Sequence, residues 1–189
     1  IALNEIGLRL YEAKYGRTRI ASDTDVAKIM KETSADMPDH KFPLSFLITE
    51  WKDVVDAWQL NSWDEYRDAK RLGRKSRLPE KQRVILWSIF EKVRTKLQAK
   101  KLLTYAEVFT KLTAHFAKSK KLPFDYVVVD EAQDVSIAQL KFLAALGYGR
   151  KNGLFFAGDL GQRIFQQPFS WKSLGVDIRG RSRTLRINY

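Results

Sequence analysis

Apolar residues recur at helical spacing through the first hundred positions, then give way to short apolar runs. Phe46, Leu47, Trp51, Val54, Val55 and Trp58 fall on one face of a helix, with Glu50, Lys52, Asp53 and Asp56 between them. A second stripe, Leu86, Ile89, Phe90, Val93 and Leu97, follows Pro79, a residue suited to the first turn of a helix, while Arg83, Lys92, Arg94 and Lys96 fill other positions. Residues before about Lys101 therefore read as mostly helical. Trp51, Trp58, Trp63 and Trp87 read first as core residues, with base stacking as the alternative.

Beyond Lys101 the pattern changes. Thr104 and Glu107 have the spacing of a capping box, which predicts a helix through about Ala117. The run from Phe124 to Val129 ends in three valines, and a β-branched run of this kind predicts a buried parallel strand. Residues 135–146 read as a helix anchored by Ile137, Leu140, Phe142 and Leu143, closed by Gly147-Tyr148-Gly149. Leu154 to Ala157 reads as the next strand. This strand–helix–strand order predicts a parallel sheet.

Composition narrows the class. The chain has 189 residues, 44% hydrophobic and 12% aromatic, enough apolar surface for one or two domains with real cores. It has no cysteine, which excludes a disulfide scaffold and a thiolate zinc site. No apolar stretch reaches membrane-spanning length and no secretory signal is visible, so a cytoplasmic protein with no membrane partner is expected. Net charge is +12, and from Tyr66 to Lys101 thirteen Lys/Arg stand against three Asp/Glu, so the surplus is concentrated there. Such a stretch suits a polyanion partner or, equally, a solvated helical face. Within it, 71–79 reads as a basic loop in which Arg71, Arg74, Lys75 and Arg77 are candidates for contacts to a nucleic-acid backbone. Gly73-Arg74-Lys75-Ser76 lacks the Gly-Lys-Ser/Thr order of a phosphate-binding loop.

The strongest chemical signal is Asp130-Glu131-Ala132-Gln133-Asp134, directly after the valine run. Ligands of open α/β sheets bind at the C-terminal ends of the strands. Nucleotide hydrolases keep there one carboxylate for Mg²⁺ and another group that orients the attacking water. Asp130 suits the first task and Glu131 the second. The second strand leads into Gly158-Asp159-Leu160-Gly161-Gln162, with Asp159 29 residues after Asp130, a distance that fits one helix and one strand. The last residues are Leu185-Arg186-Ile187-Asn188-Tyr189.

Those three segments, in that order, resemble motifs II, III and IV of superfamily 1 helicases of the UvrD/Rep branch. The resemblance implies an α/β fold: part of a RecA-like parallel-sheet motor domain of the P-loop NTPase class, with a mainly helical insertion domain. It divides the chain into residues 1–101, the insertion, basic toward its C-terminal end, and 102–189, the motor part. It implies ATP and Mg²⁺ as cofactors, Asp130 as metal and nucleotide contact, and Glu131 as the catalytic carboxylate. Gln162 becomes the sensor of the γ-phosphate, and Tyr189 the residue lying along the nucleotide base. Phe165 matches a position where relatives stack an aromatic on single-stranded bases. Trp171 is a further stacking candidate or a structural residue, since the string around it departs from the family's. Single-stranded and duplex DNA are the implied partners, with 3′-to-5′ movement.

No Walker A string, Gly-x-x-x-x-Gly-Lys-Ser/Thr, occurs in these residues. In the family that segment lies on the N-terminal side of everything seen here, and a second motor domain lies on the C-terminal side. The sequence therefore reads as an internal fragment, inactive by itself, of an ATP-dependent DNA helicase or translocase. The alternative is a non-enzymatic nucleic-acid-binding module with a degenerate motor fold. Intact Asp130, Glu131 and Gln162 argue against that alternative, because binding alone does not need them.

Overall fold

A computed structural model describes residues 1–37, 40–69, 78–159, 174–176 and 183. In chain order these form α1 (Leu3–Tyr15), β1 (Arg19–Ile20), α2 (Asp23–Ala35), α3 (Leu44–Glu50), a π-helical turn (Trp51–Asp56), α4 (Trp63–Asp68), α5 (Glu80–Ala99), β2 (Leu102–Leu103), α6 (Tyr105–Phe116), β3 (Val127–Val129), a 3₁₀ turn (Ala132–Asp134), α7 (Ile137–Gly147) and β4 (Leu154–Phe156). The chain is thus mainly helical among the described residues, with two small parallel sheets, β1–β2 and β3–β4. No described helix is long and apolar enough to cross a membrane.

Local signals start the helices. Ser22 with Asp25, Thr104 with Glu107, and Ser136 with Gln139 each form both bonds of a capping box, satisfying N–H groups that a helix start leaves unpaired. The Thr104 box was legible in the sequence. α5 begins directly after Pro79 and buries Leu86, Ile89, Phe90, Val93 and Leu97, the stripe expected from spacing.

Two apolar cores result. The first gathers Ile29, Met30, Leu47, Trp51, Val54, Val55, Tyr66, Trp87 and the α5 stripe. The second packs Tyr11 of α1, Val108, Phe109 and Leu112 of α6, and Leu140, Phe142 and Leu143 of α7. α1 lies on α6, where a Cβ at Gly7 would come within 2.6 Å of Phe109 Cε1, so the crossing requires a residue without a side chain. Trp51 and Trp87 are core residues, and Trp58 and Trp63 are half-buried against the two cores.

Two expectations are corrected. The polar positions of the 46–58 helix do not all face water: Glu50 is fully buried and accepts a hydrogen bond from Tyr66 Oη at 2.9 Å. Glu50 lies three residues after Leu47 and four before Val54, so it falls on the same buried face as the apolar stripe, and the buried Tyr66 hydroxyl satisfies it there. The strand expected at 124–129 is parallel, as read, but shorter and not buried. Val128 is 73% exposed, while Val127 and Val129 are half-buried against the second core. Only one face of the two-stranded sheet is covered among the described residues, and Tyr126, Val128 and Phe155 are left on the other.

Candidate functional site

β3 and β4 run parallel, with Val127 beside Leu154, Val128 beside Phe155 and Val129 beside Phe156. Their C-terminal ends are therefore level, and the segments following them meet. Ala157 N–H donates to Val129 O at 2.8 Å, and Ala132 N–H donates to Ala157 O at 2.8 Å. This pairing carries Asp130-Glu131 and Gly158-Asp159, 29 positions apart between the two aspartates, to one edge.

The backbone turns sharply there. Glu131 is left-handed, with φ 52° and ψ 44°, a conformation uncommon for a residue with a long side chain and costing on the order of 1 kcal/mol. Asp130 Oδ1 accepts the Glu131 N–H at 2.9 Å. The 3₁₀ turn follows, and Ser136 then caps α7. Gln139 of that cap also donates from Nε2 to Asn4 Oδ1 at 2.8 Å, tying α7 to α1. The acidic string thus occupies a short, doubly pinned connection between a strand and a helix.

Asp130, Glu131, Asp134 and Asp159 are exposed, and Gln133 is buried among them. Gln133 donates from Nε2 to Glu131 Oε2, and its Oε1 accepts the Asp159 N–H at 3.0 Å. Gly158 passes so close that a Cβ there would come within 2.7 Å of Ala132 N. This contact does not follow from the spacing of residues along the chain. Its signals were a glutamine inside an acidic string and a glycine after a strand, where close backbone approach is common.

Of the expected site residues, Asp130 and Glu131 are brought together at the strand end. Gln162, Phe165, Trp171, Tyr189, Arg71, Arg74, Lys75 and Arg77 lie outside the described residues. Among the described residues no group of three or more His, Cys, Asp or Glu could enclose a metal ion. The exposed Asp130 carboxylate at the strand end is a donor of the kind Mg²⁺ takes. The ion binds one or two carboxylates and completes its shell with water and phosphate oxygens.

A second polar cluster went unread in the sequence. Trp51, Asp56, Gln59, Arg94, Leu97 and Glu107 line a cavity of about 10 Å³, room for one water and far below the size of a nucleotide. Asp56 Oδ1 accepts hydrogen bonds from Thr104 Oγ1 at 2.7 Å and Gln59 Nε2 at 2.8 Å. Burial pushes the Asp56 carboxyl up to about 6, helped by the neighbouring Glu107 charge and opposed by those hydrogen bonds and by Arg94. This cluster joins the π turn and α5 to the start of α6 and is structural in position.

Comparison with curated proteins finds no match. A family model described as the UvrD/REP helicase N-terminal domain matches residues 7–171, most of the chain. That match runs through both cores and the acidic strand end, and the chain belongs to the UvrD/REP helicase N-terminal domain family.

Proposed function

We propose that this chain is the nucleotide- and DNA-contacting part of an ATP-dependent DNA helicase or translocase moving 3′ to 5′ on single-stranded DNA. The observation that carries the reading is the level register of β3 and β4, which brings Asp130-Glu131 beside Gly158-Asp159 at the C-terminal edge of a parallel sheet. In this reading the sheet belongs to residues 102–189, part of a RecA-like motor domain, and residues 1–101 form the mainly helical insertion, of which α1 packs on α6 of the motor part.

Asp130 would hold Mg²⁺. The ion, when bound, neutralises charge on the β- and γ-phosphates. Glu131 orients the attacking water and accepts its proton, and its side chain has to be held in one direction for that task. Gln162 senses the γ-phosphate, Tyr189 lies along the base of the nucleotide, and Phe165 and Trp171 stack on single-stranded bases, which suits a motor indifferent to sequence. Arg71, Arg74, Lys75 and Arg77 contact the backbone of duplex DNA. A Walker A segment and a second motor domain come from other parts of the same parent protein. The exposed apolar face of Tyr126, Val128 and Phe155 supports this, since a central motor sheet is covered on both sides.

Glu131→Gln in the full-length protein is the direct test. ATP turnover is expected to fall by at least about a hundredfold with ATP binding kept, in line with the loss of a water-positioning group. Turnover within a few-fold of the wild type removes Glu131 from the reaction and the reading with it.

A further inference from the structure

We infer that Gln133 is a positioning residue whose buried amide locks the Glu131 carboxylate to the loop after β4. The direction of the water-activating group and the position of Gly158-Asp159 then become one variable. The inference rests on the role proposed for Glu131.

Hydrogen-bond polarity fixes the amide. Asp159 presents a backbone N–H, which only the Gln133 oxygen can accept, and Glu131 presents a carboxylate oxygen, which only the Gln133 NH₂ can serve. Both ends agree on one orientation, and flipping the amide would break both bonds. Gln133 is 5% exposed, so water cannot substitute freely for either partner. Gly158 closes the loop against it, with no room for a side chain between the loop and the Ala132 N–H. The left-handed backbone at Glu131 turns its carboxylate out of the strand line, and Gln133, two residues on, is the group that ties it down. A shift of the β4 loop is therefore transmitted through one amide to the carboxylate. That loop leads directly into the segment bearing Gln162 and Phe165.

The test uses the full-length protein, with Glu131→Gln as control. Gln133→Leu keeps most of the side-chain volume and removes both bonds. Expected is a fall in kcat for ATP of roughly 10- to 100-fold, with KM within about threefold. Gln133→Glu keeps an oxygen to accept the Asp159 N–H but has no amide hydrogen to donate to Glu131, so its kcat is expected to fall as well, by roughly tenfold, with KM again nearly unchanged. A kcat of Gln133→Leu within twofold of the wild type overturns the inference. A fall in kcat matched by a comparable rise in KM, or confined to variants that have begun to melt at the assay temperature, overturns it too, by making Gln133 merely structural. If Glu131→Gln itself turns over ATP, the assignment of Glu131 fails first, and the two failures are told apart by that control.

Discussion

Glu50 and Asp56, on the helical side, are held by a tyrosine hydroxyl, a threonine hydroxyl and a glutamine amide, away from bulk water. Asp130, Glu131 and Asp159 stand exposed at the ends of β3 and β4, with Ala132 and Gln133 buried beneath them. In the first region carboxylates serve the packing of Trp51, Tyr66 and Phe90. In the second, packing serves the carboxylates: the valines and the capped α7 fix a short turn from which charge projects into solvent. A carboxyl withdrawn from water is held in place by its hydrogen bonds, whereas charge left in water at a fixed point is available for chemistry.

That contrast breaks if the two regions cannot be perturbed separately. Phe90→Ala empties the first core at a residue 1% exposed. It should lower the unfolding free energy by about 3–5 kcal/mol in urea titration, with ATP turnover per folded molecule of the full-length protein unchanged. A matching loss of turnover in the folded fraction would join the regions into one unit. A smaller effect tests whether the helical side is only scaffold. Replacing Arg71, Arg74, Lys75 and Arg77 by Gln should raise the Kd for duplex DNA by about tenfold or more and flatten its dependence on salt. An unaltered salt slope would return that stretch to solvated surface.

The smallest effect concerns Asp56. Its folded pKa, about 6, lies above the ordinary 3.8, so folding favours the protonated form. The stability this group contributes is therefore fully present below about pH 4 and is lost as pH rises through about 6. Asp56→Asn keeps an oxygen for Thr104 and Gln59 without the charge. It should flatten that decline and stabilise the chain at pH 8 by on the order of 1 kcal/mol, less than full linkage because the group keeps some contact with water. Parallel stability–pH curves for variant and wild type would mean Asp56 ionises in the folded chain as it does unfolded.

Much of this was written locally in the sequence. The α5 stripe, the Thr104–Glu107 box and the strand–helix–strand order follow from spacing alone, because each depends on neighbours within one or two turns. The burial of Glu50 did not show, since a glutamate on the apolar face reads as a solvated position until its distant partner, Tyr66, is known. The exposure of Val128 was missed because an apolar run does not say which of its faces is covered. At the site, the pair Asp130-Glu131 was legible from position. The Gln133 bridge was not, because it depends on where a segment 26 residues away comes to lie.

The left-handed backbone at Glu131 limits what selection for heat resistance can do to this protein. Glycine adopts that conformation with less penalty than glutamate, a relief of roughly 1 kcal/mol. It would also strip the buried Gln133 amide of its carboxylate partner, and an unpaired buried donor costs about 1–3 kcal/mol. A screen that rewards folding alone is therefore expected to leave the glutamate in place unless position 133 changes with it, so that stability and the proposed chemistry select for the same side chain.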